Sequence, residues 1–255
     1  MRIAVCCKAV PLEVTPDLVQ VTDGQLHCNS GDLFINEFDE YALEAALSLK
    51  KSYNAETWAV TVGSLRAQEV LHIALAKGID KVLRIEGGNA SPERLAYGLV
   101  TALKTLEPQL ILVGVQSEDW MGGEIGAFMA EELGASLGFA TIQICELNDT
   151  QIRIQKEIGG GRRVETVLKL PAVLCVQSGI QPLQYLSAIR KKKARDIPVK
   201  LWGQLDDVDI PLNVKNMHYE VKNASAPETR AQAIMITGDR PEKARKILEI
   251  IKKNL

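Results

Sequence analysis

"QLILVGVQSEDWMGGEIGAFMAEELG", Gln109 to Gly134, decides the fold. An aliphatic run, Leu110–Val115, enters a turn of glycines, acids and a tryptophan, then a helix that Gly134 closes. Such a short apolar run reads as a strand buried on both faces, as in parallel sheets. The unit recurs upstream. "ETWAVTVG" (Glu56–Gly63) leads to "SLRAQEVLHIALAKG", stopped by Gly78. "DKVLRIEG" leads to "SPERLAYGLVTALKTLEP", with Ser91 as cap and Pro92 in the first turn. "RIAVCCKAV" (Arg2–Val10) reads as one more buried strand. "EFDEYALEAALSLKKSY" reads as a helix, acids first and lysines last, with Asn36 placed to cap it. Between them, Asp23-Gly24 suits a small hairpin.

Strand–helix alternation to about residue 135 predicts right-handed βαβ crossovers. Beyond it, "ATIQICELND", "TQIRIQKEI" and "RRVETVLKL" alternate apolar and polar residues, as antiparallel strands do, and "PAVLCVQS" is a last apolar strand. Few periodic elements follow until "DRPEKARKILEIIKKNL", an amphipathic helix. The predicted class is α/β: a mainly parallel doubly wound sheet, an antiparallel extension, and an extended C-terminal arm ending in a helix.

Composition narrows the chemistry. Of 255 residues 46% are hydrophobic but only 5% aromatic, so the core is aliphatic and alanine-rich. A net charge of −2 supplies no general attraction to nucleic acid. Five cysteines (6, 7, 28, 145 and 175) form no C-x-x-C pair, and three histidines show no zinc spacing. We expect reduced cysteines in a cytoplasmic protein. No run of about 18 apolar residues exists, so direct membrane insertion is not expected.

Ligands of open parallel sheets lie beyond the carboxyl ends of the strands. Cys6–Val10, Val62–Ser64 and Gly114–Gly126 reach that edge, with Asn36 near them. N–H groups at a helix start bind phosphate, and glycines let backbone approach, which is a physical case for an adenine nucleotide. A packing turn is the competing reading, because G-x-G-x-x-G and a Walker lysine are missing. Glu118, Asp119 and Glu124 read either as a Mg²⁺ loop or as an ordinary acidic helix start. Cys6 and Cys7 point to opposite faces of a strand, and no cysteine–histidine partnership is marked. His72 reads as structural. No catalytic residue and no metal ligand is assigned. "GGGRR" (Gly159–Arg163) reads as a hairpin turn or as a contact for a partner or anion. "IRKKKAR" (Ile189–Arg195) reads as a solvated cationic face or a surface for an acidic partner. "WGQLDDVDIPL" and the arm around it carry too little apolar surface to fold alone, so they are expected to cover another surface, in this chain or a second subunit.

Taken together, these stretches resemble the beta subunit of electron transfer flavoproteins over nearly the whole chain. They are "IAVCCKAV", ending in a lysine region after small residues; "VTDG"; "INEFDEYALEAALSLK", with the family's Asn-x-x-acid turn; "VTVG"; "ALAKGIDKVLRI"; "LILVGVQSED"; and "KEIGGGRRVETVLKLPAVLCVQSGIQPLQYLSAIRKKKAR". The resemblance implies an electron carrier without catalytic residues of its own, paired with a larger alpha subunit that mainly holds the redox FAD. This subunit's site would take AMP, or FAD in the bifurcating branch. Electrons would come from acyl-CoA-type dehydrogenases and leave to a quinone oxidoreductase or another acceptor.

By the same resemblance, residues 1–185 form an adenine-nucleotide-alpha-hydrolase-like domain, and 186–255 dock partners and wrap the alpha subunit. Cys6, Asn36, Val62, Gly114, Gln116, Ser117, Gly122, Gly123 and Gly126 are implied to bind the nucleotide. Glu124 and Ile125 stand where the family commonly has Gln-Thr or Ser-Thr. Tyr185, Leu186, Ala188, Arg190, Lys191 and Lys192 are implied to dock the dehydrogenase, with Ala188 at the usual leucine position and Leu186 available two residues earlier. An adenine-nucleotide-binding regulatory domain of similar fold is the reading from a different class.

Overall fold

The computed structural model describes residues 1–11, 19–22, 25–28, 33–88, 90–211, 233 and 235–253. The chain divides into two units, Met1–Lys222 and Asn223–Leu255.

In the first unit, strands β1 (Arg2–Cys6), β2 (Ala9–Pro11), β3 (Val19–Thr22), β4 (Gln25–Cys28) and β5 (Leu33–Ile35) precede helix α1 (Glu37–Tyr53). Then come β6 (Glu56–Val62), α2 (Gln68–Lys77), β7 (Lys81–Glu86), α3 (Pro92–Lys104), β8 (Leu110–Gly114) and α4 (Ile125–Leu133). The unit continues with β9 (Ser136–Leu147), β10 (Gln151–Glu157), β11 (Arg163–Lys169), β12 (Ala172–Val176), α5 (Ala188–Arg195) and β13 (Lys200–Gln204). Nine strands form one sheet in the order β11-β10-β9-β12-β8-β1-β6-β7-β13. Pairs from β9/β12 through β7/β13 are parallel, and only β9/β10 and β10/β11 are antiparallel.

The apolar runs explain this order. Ile3 and Val5 of β1 join the core beneath α1 and α2, whereas Ala4 and Cys6 join the core beneath α3 and α4. Each central strand therefore feeds two helical layers, which is why its sequence is continuously apolar. Helix stops follow the expected chemistry: Gly78 and Gly134 end α2 and α4 in left-handed geometry, and the Ser91 side chain accepts the Arg94 N–H at the start of α3.

Two local expectations change. Arg2–Val10 is not one strand. The ladder ends where Cys7 N–H donates to the Val60 carbonyl (2.8 Å), and Lys8 N–H turns to the Asp39 Oδ2 carboxylate oxygen (2.8 Å). Ala9–Pro11 then pairs antiparallel with β5. Lys200–Gln204, read as extended chain, joins the main sheet as its edge strand beside β7. Leu205 and Ile210 after it are buried, so this part of the arm covers its own chain. Strands β3 and β4 pair antiparallel as the Asp23-Gly24 turn predicts, while that dipeptide, His218 and residues 212–232 of the arm lie outside the described residues.

The second unit contains helix α6 (Arg240–Lys253), exposed along its length, with Ile247, Leu248 and Ile251 among its accessible apolar side chains. No helix among the described residues is long and apolar enough to cross a membrane.

Candidate functional site

The carboxyl ends of β1, β6 and β8 assemble the segments singled out by sequence. Asn36 is the centre. It occupies the position before α1 but makes no capping bond there. Its Nδ2 donates to the Gln116 carbonyl (2.9 Å) and its Oδ1 accepts the Glu118 N–H (3.0 Å). Both polar groups of the side chain thus reach the loop after β8, so the buried amide has a donor and an acceptor partner there.

Asp39, three residues on, is the second strut. Its Oδ2 accepts the Lys8 N–H (2.8 Å) and its Oδ1 accepts the Gly114 N–H (2.8 Å), tying α1 to the ends of β1 and β8. Burial pushes this carboxyl up from 3.8 to about 6, against the opposing pull of those two N–H bonds. Lys8 completes the frame. Its ammonium donates to Asp119 Oδ1 (2.7 Å) and Ser117 Oγ (3.3 Å), so one loop acid is already neutralised. Arg84, buried on β7, donates to the Gly63 carbonyl (2.9 Å) and holds the turn after Val62.

Among the residues expected to bind nucleotide, Cys6, Asn36, Val62, Gly114, Gln116 and Ser117 come together at this edge. Cys6 is buried and Val62 half-buried. Gly122 is exposed and Gly123 half-buried in the loop, Gly123 with a positive φ of 67°. Trp120 and Met121 are exposed beside them. Gly126 is buried in the first turn of α4, where a Cβ would run into the Cys175 Sγ of β12 and lie 3.0 Å from Val113 Cγ2. Close helix–sheet packing therefore accounts for this glycine. Helix α4 carries no side-chain cap, and its first described bonds run from Ala127 and Phe128 N–H to the Glu124 carbonyl (3.1 Å each). Such a helix start attracts anions through its N–H groups and dipole.

Three of the thiols are buried in the core. Burial pushes those of Cys6, Cys7 and Cys175 up, Cys175 to about 12. Among the described residues no cluster of His, Cys, Asp and Glu could hold a metal. His72 is buried within α2 beside Gln68.

The segment expected to dock a partner lies beyond β12. Tyr185 is 88% exposed and Ile189, which sequence reading passed over, is 70% exposed. Leu186 instead packs against the core. Ala188, Arg190, Lys191 and Lys192 belong to or begin α5 and are exposed. Arg195 lays its guanidinium across Glu69 of α2 with two bonds (2.6 and 3.2 Å). Gly159–Arg163 is an exposed hairpin turn. Lys8, Asp39 and Arg84 were missed as site residues. For Asp39 the Asn-x-x-acid spacing carried the signal and for Lys8 its place after the small residues of "IAVCCKAV"; for Arg84 only the assembled sheet does.

This architecture can be compared with known proteins. The model of the electron transfer flavoprotein domain matches residues 27–202. The electron transfer flavoprotein subunit beta of Clostridium acetobutylicum is 30% identical over 251 residues, 95% of this chain and 94% of the relative. That of Bacillus subtilis is 26% identical over 243 residues, 93% of each. That of Methylophilus methylotrophus is 30% identical over 229 residues, 85% of each. The chain belongs to the electron transfer flavoprotein family and is a member of its beta-subunit branch.

Proposed function

We propose that this chain is the smaller half of a heterodimeric electron carrier. An alpha subunit holds most of the redox FAD, which supplies the electron-accepting chemistry. This chain grips that subunit and presents the surface at which an acyl-CoA-type dehydrogenase docks. Electrons then leave to a quinone oxidoreductase or another acceptor. The observation that carries the reading is the segment from Leu183 to Arg195. Tyr185 and Ile189 stand in solvent on a segment fixed to the body, beside Arg190, Lys191, Lys192 and Lys193. Exposed apolar anchors ringed by cations suit an apolar recess with an acidic border, and the charges speed encounter.

The edge built by Lys8, Asn36 and Asp39 is the site for AMP. Asn36 and Lys8 fix the course of residues 116–119, and the pairing of Lys8 with Asp119 removes one charge that would repel phosphate. Phosphate oxygens would meet the first N–H groups of α4. Ile125 offers no hydroxyl there, so the site rests on backbone donors. Cys6 and Val62 would line the adenosine.

Co-expression with an alpha subunit tests the whole reading. The expected product is a yellow one-to-one complex that releases FAD and AMP on denaturation. A colourless chain that takes up no FAD with an alpha subunit would overturn it. Two flavins per heterodimer and no AMP would place FAD at this edge instead.

A further inference from the structure

A buried ion cluster lies beneath the exposed docking residues. Lys77 ends α2 with its side chain 3% exposed, and Glu44 of α1 is 2% exposed. The Lys77 ammonium donates to Glu44 Oε1 (2.6 Å) and to the Gln184 carbonyl (3.3 Å), and forms an ion pair with Glu40 Oε1 at 2.8 Å. The same Glu44 oxygen accepts the Gln184 N–H (3.1 Å). From the other side, the Arg190 guanidinium donates to the Lys77 carbonyl (3.3 Å). Gln184 is thus held by both of its backbone groups, one on each member of the pair.

Three oxygens surround the ammonium, two of them as hydrogen-bond acceptors and the third as an ion-pair partner. Burying two charges is a poor route to stability, because desolvation offsets most of their attraction. What such a pair supplies is a unique position. If the 183–190 segment slid by one residue, Lys77 would lose an acceptor and Glu44 a donor in a place water hardly reaches. Residue 184 is therefore pinned, and Tyr185 follows it directly. Leu186, packed against the core, and the Arg195–Glu69 pair hold the segment further along.

We propose that the Glu44–Lys77 pair is a positioning device that orders the docking segment before its partner arrives. The inference rests on the docking role assigned above and adds its cause. A pre-ordered segment loses less conformational freedom when Tyr185 and Ile189 are buried by a partner, so the pair lowers the KM of the encounter without touching the flavin. Neither residue meets the partner. Both act through Gln184.

The test uses the heterodimer with its alpha subunit and the double variant Glu44→Leu/Lys77→Met, with Glu44→Gln alone as the milder change. The double variant removes the two deeply buried charges together, and the carboxylate it leaves, Glu40, is 27% exposed and reaches water. Hydrogen exchange at residues 184–190 is expected to rise about tenfold or more, the loss of a charge-assisted bond, while the central strands keep their protection. With a purified acyl-CoA dehydrogenase as electron donor, KM is expected to rise by a similar factor with kcat unchanged. Chemical reduction of the flavin by dithionite should not change. Unchanged exchange at 184–190 overturns the proposal, and so does raised exchange with an unchanged KM. If the wild-type heterodimer takes no electrons from the dehydrogenase, the carrier reading falls and the docking role falls with it. Unchanged exchange beside normal wild-type reduction overturns the anchor alone.

Discussion

Leu205 fills a notch that only Gly98 can leave. A Cβ on Gly98 of α3 would collide with the Leu205 side chain, which is 1% exposed. Arg94, one turn earlier on α3, pairs with Asp206 at 2.6 Å. Together they hold the end of β13, so the arm begins only after a stretch that belongs to this chain's own sheet. Burying a leucine stabilises by about 1.5–3 kcal/mol. Gly98→Val is expected to expel Leu205 at a cost of about 1–3 kcal/mol. Exchange of the Leu201–Gln204 amides should then rise while β1 and β8 stay protected. Unchanged protection there would mean that the strand is held by its ladder alone.

Gly126 and Cys175 form a second close pair, which separates packing from binding. Gly126→Ala is expected to destabilise by about 1–3 kcal/mol, because the new methyl meets the Cys175 sulfur. Cys175→Ala removes that sulfur, so the double variant should recover part of the loss. The coupling is read from a double-mutant cycle of denaturant midpoints. Additive losses would place the role of Gly126 outside the core.

These two pairs show why the fold was legible further than the site. The buried strands announce themselves, since Leu110–Gly114 and Ala172–Val176 are aliphatic throughout and feed two helical layers. β13 does not, because "KLWGQ" is an edge strand whose place is set by β7 and by a missing side chain on α3. Asn36 was legible as a helix cap, which is the local rule, but a loop 80 residues away takes both of its polar groups. Lys8 and Arg84 are ordinary cations until the sheet brings Asp119 and Gly63 to them. Pairings between distant segments carry no periodicity.

The Asp39 carboxyl gives the stability a pH dependence of definite sign. Its folded value, about 6, lies above its ordinary 3.8. The contribution is present in full below 3.8 and is lost as pH rises through about 6, amounting to about 3 kcal/mol. Asp39→Asn cannot titrate, and its amide turns a donor toward one of two N–H groups. The stability lead of the wild type over this variant should therefore be largest near pH 4 and shrink toward pH 7. Denaturation at a series of pH values measures it, and a lead that grows with pH would contradict the assignment.

Ile125 opens α4 without a hydroxyl, at the helix start proposed to meet the AMP phosphate. Ile125→Thr is expected to tighten AMP binding by about tenfold or more, one hydrogen bond to a charged oxygen. Equilibrium dialysis of the nucleotide-stripped heterodimer gives the comparison. No change in affinity would mean that the phosphate lies away from this helix start.

Asn36 separates the two chemistries that one amide performs. Asn36→Ala leaves the Gln116 carbonyl and the Glu118 N–H without their partner, costing about 1–3 kcal/mol for the loop. Asn36→Asp keeps an acceptor for Glu118 but turns a carboxylate toward the Gln116 carbonyl, two oxygens facing each other near Asp39. The aspartate should therefore be no better than the alanine, although it is closer in shape. If the amide only capped α1, the order would reverse, since aspartate is as good a cap as asparagine. Exchange of the Glu118 amide and AMP content in the purified heterodimer report the loop, and the denaturant midpoint reports the fold. An aspartate variant with wild-type values in all three would show that the donor half of Asn36 does nothing for the loop, and the link between α1 and residues 116–118 would reduce to the single Glu118 bond.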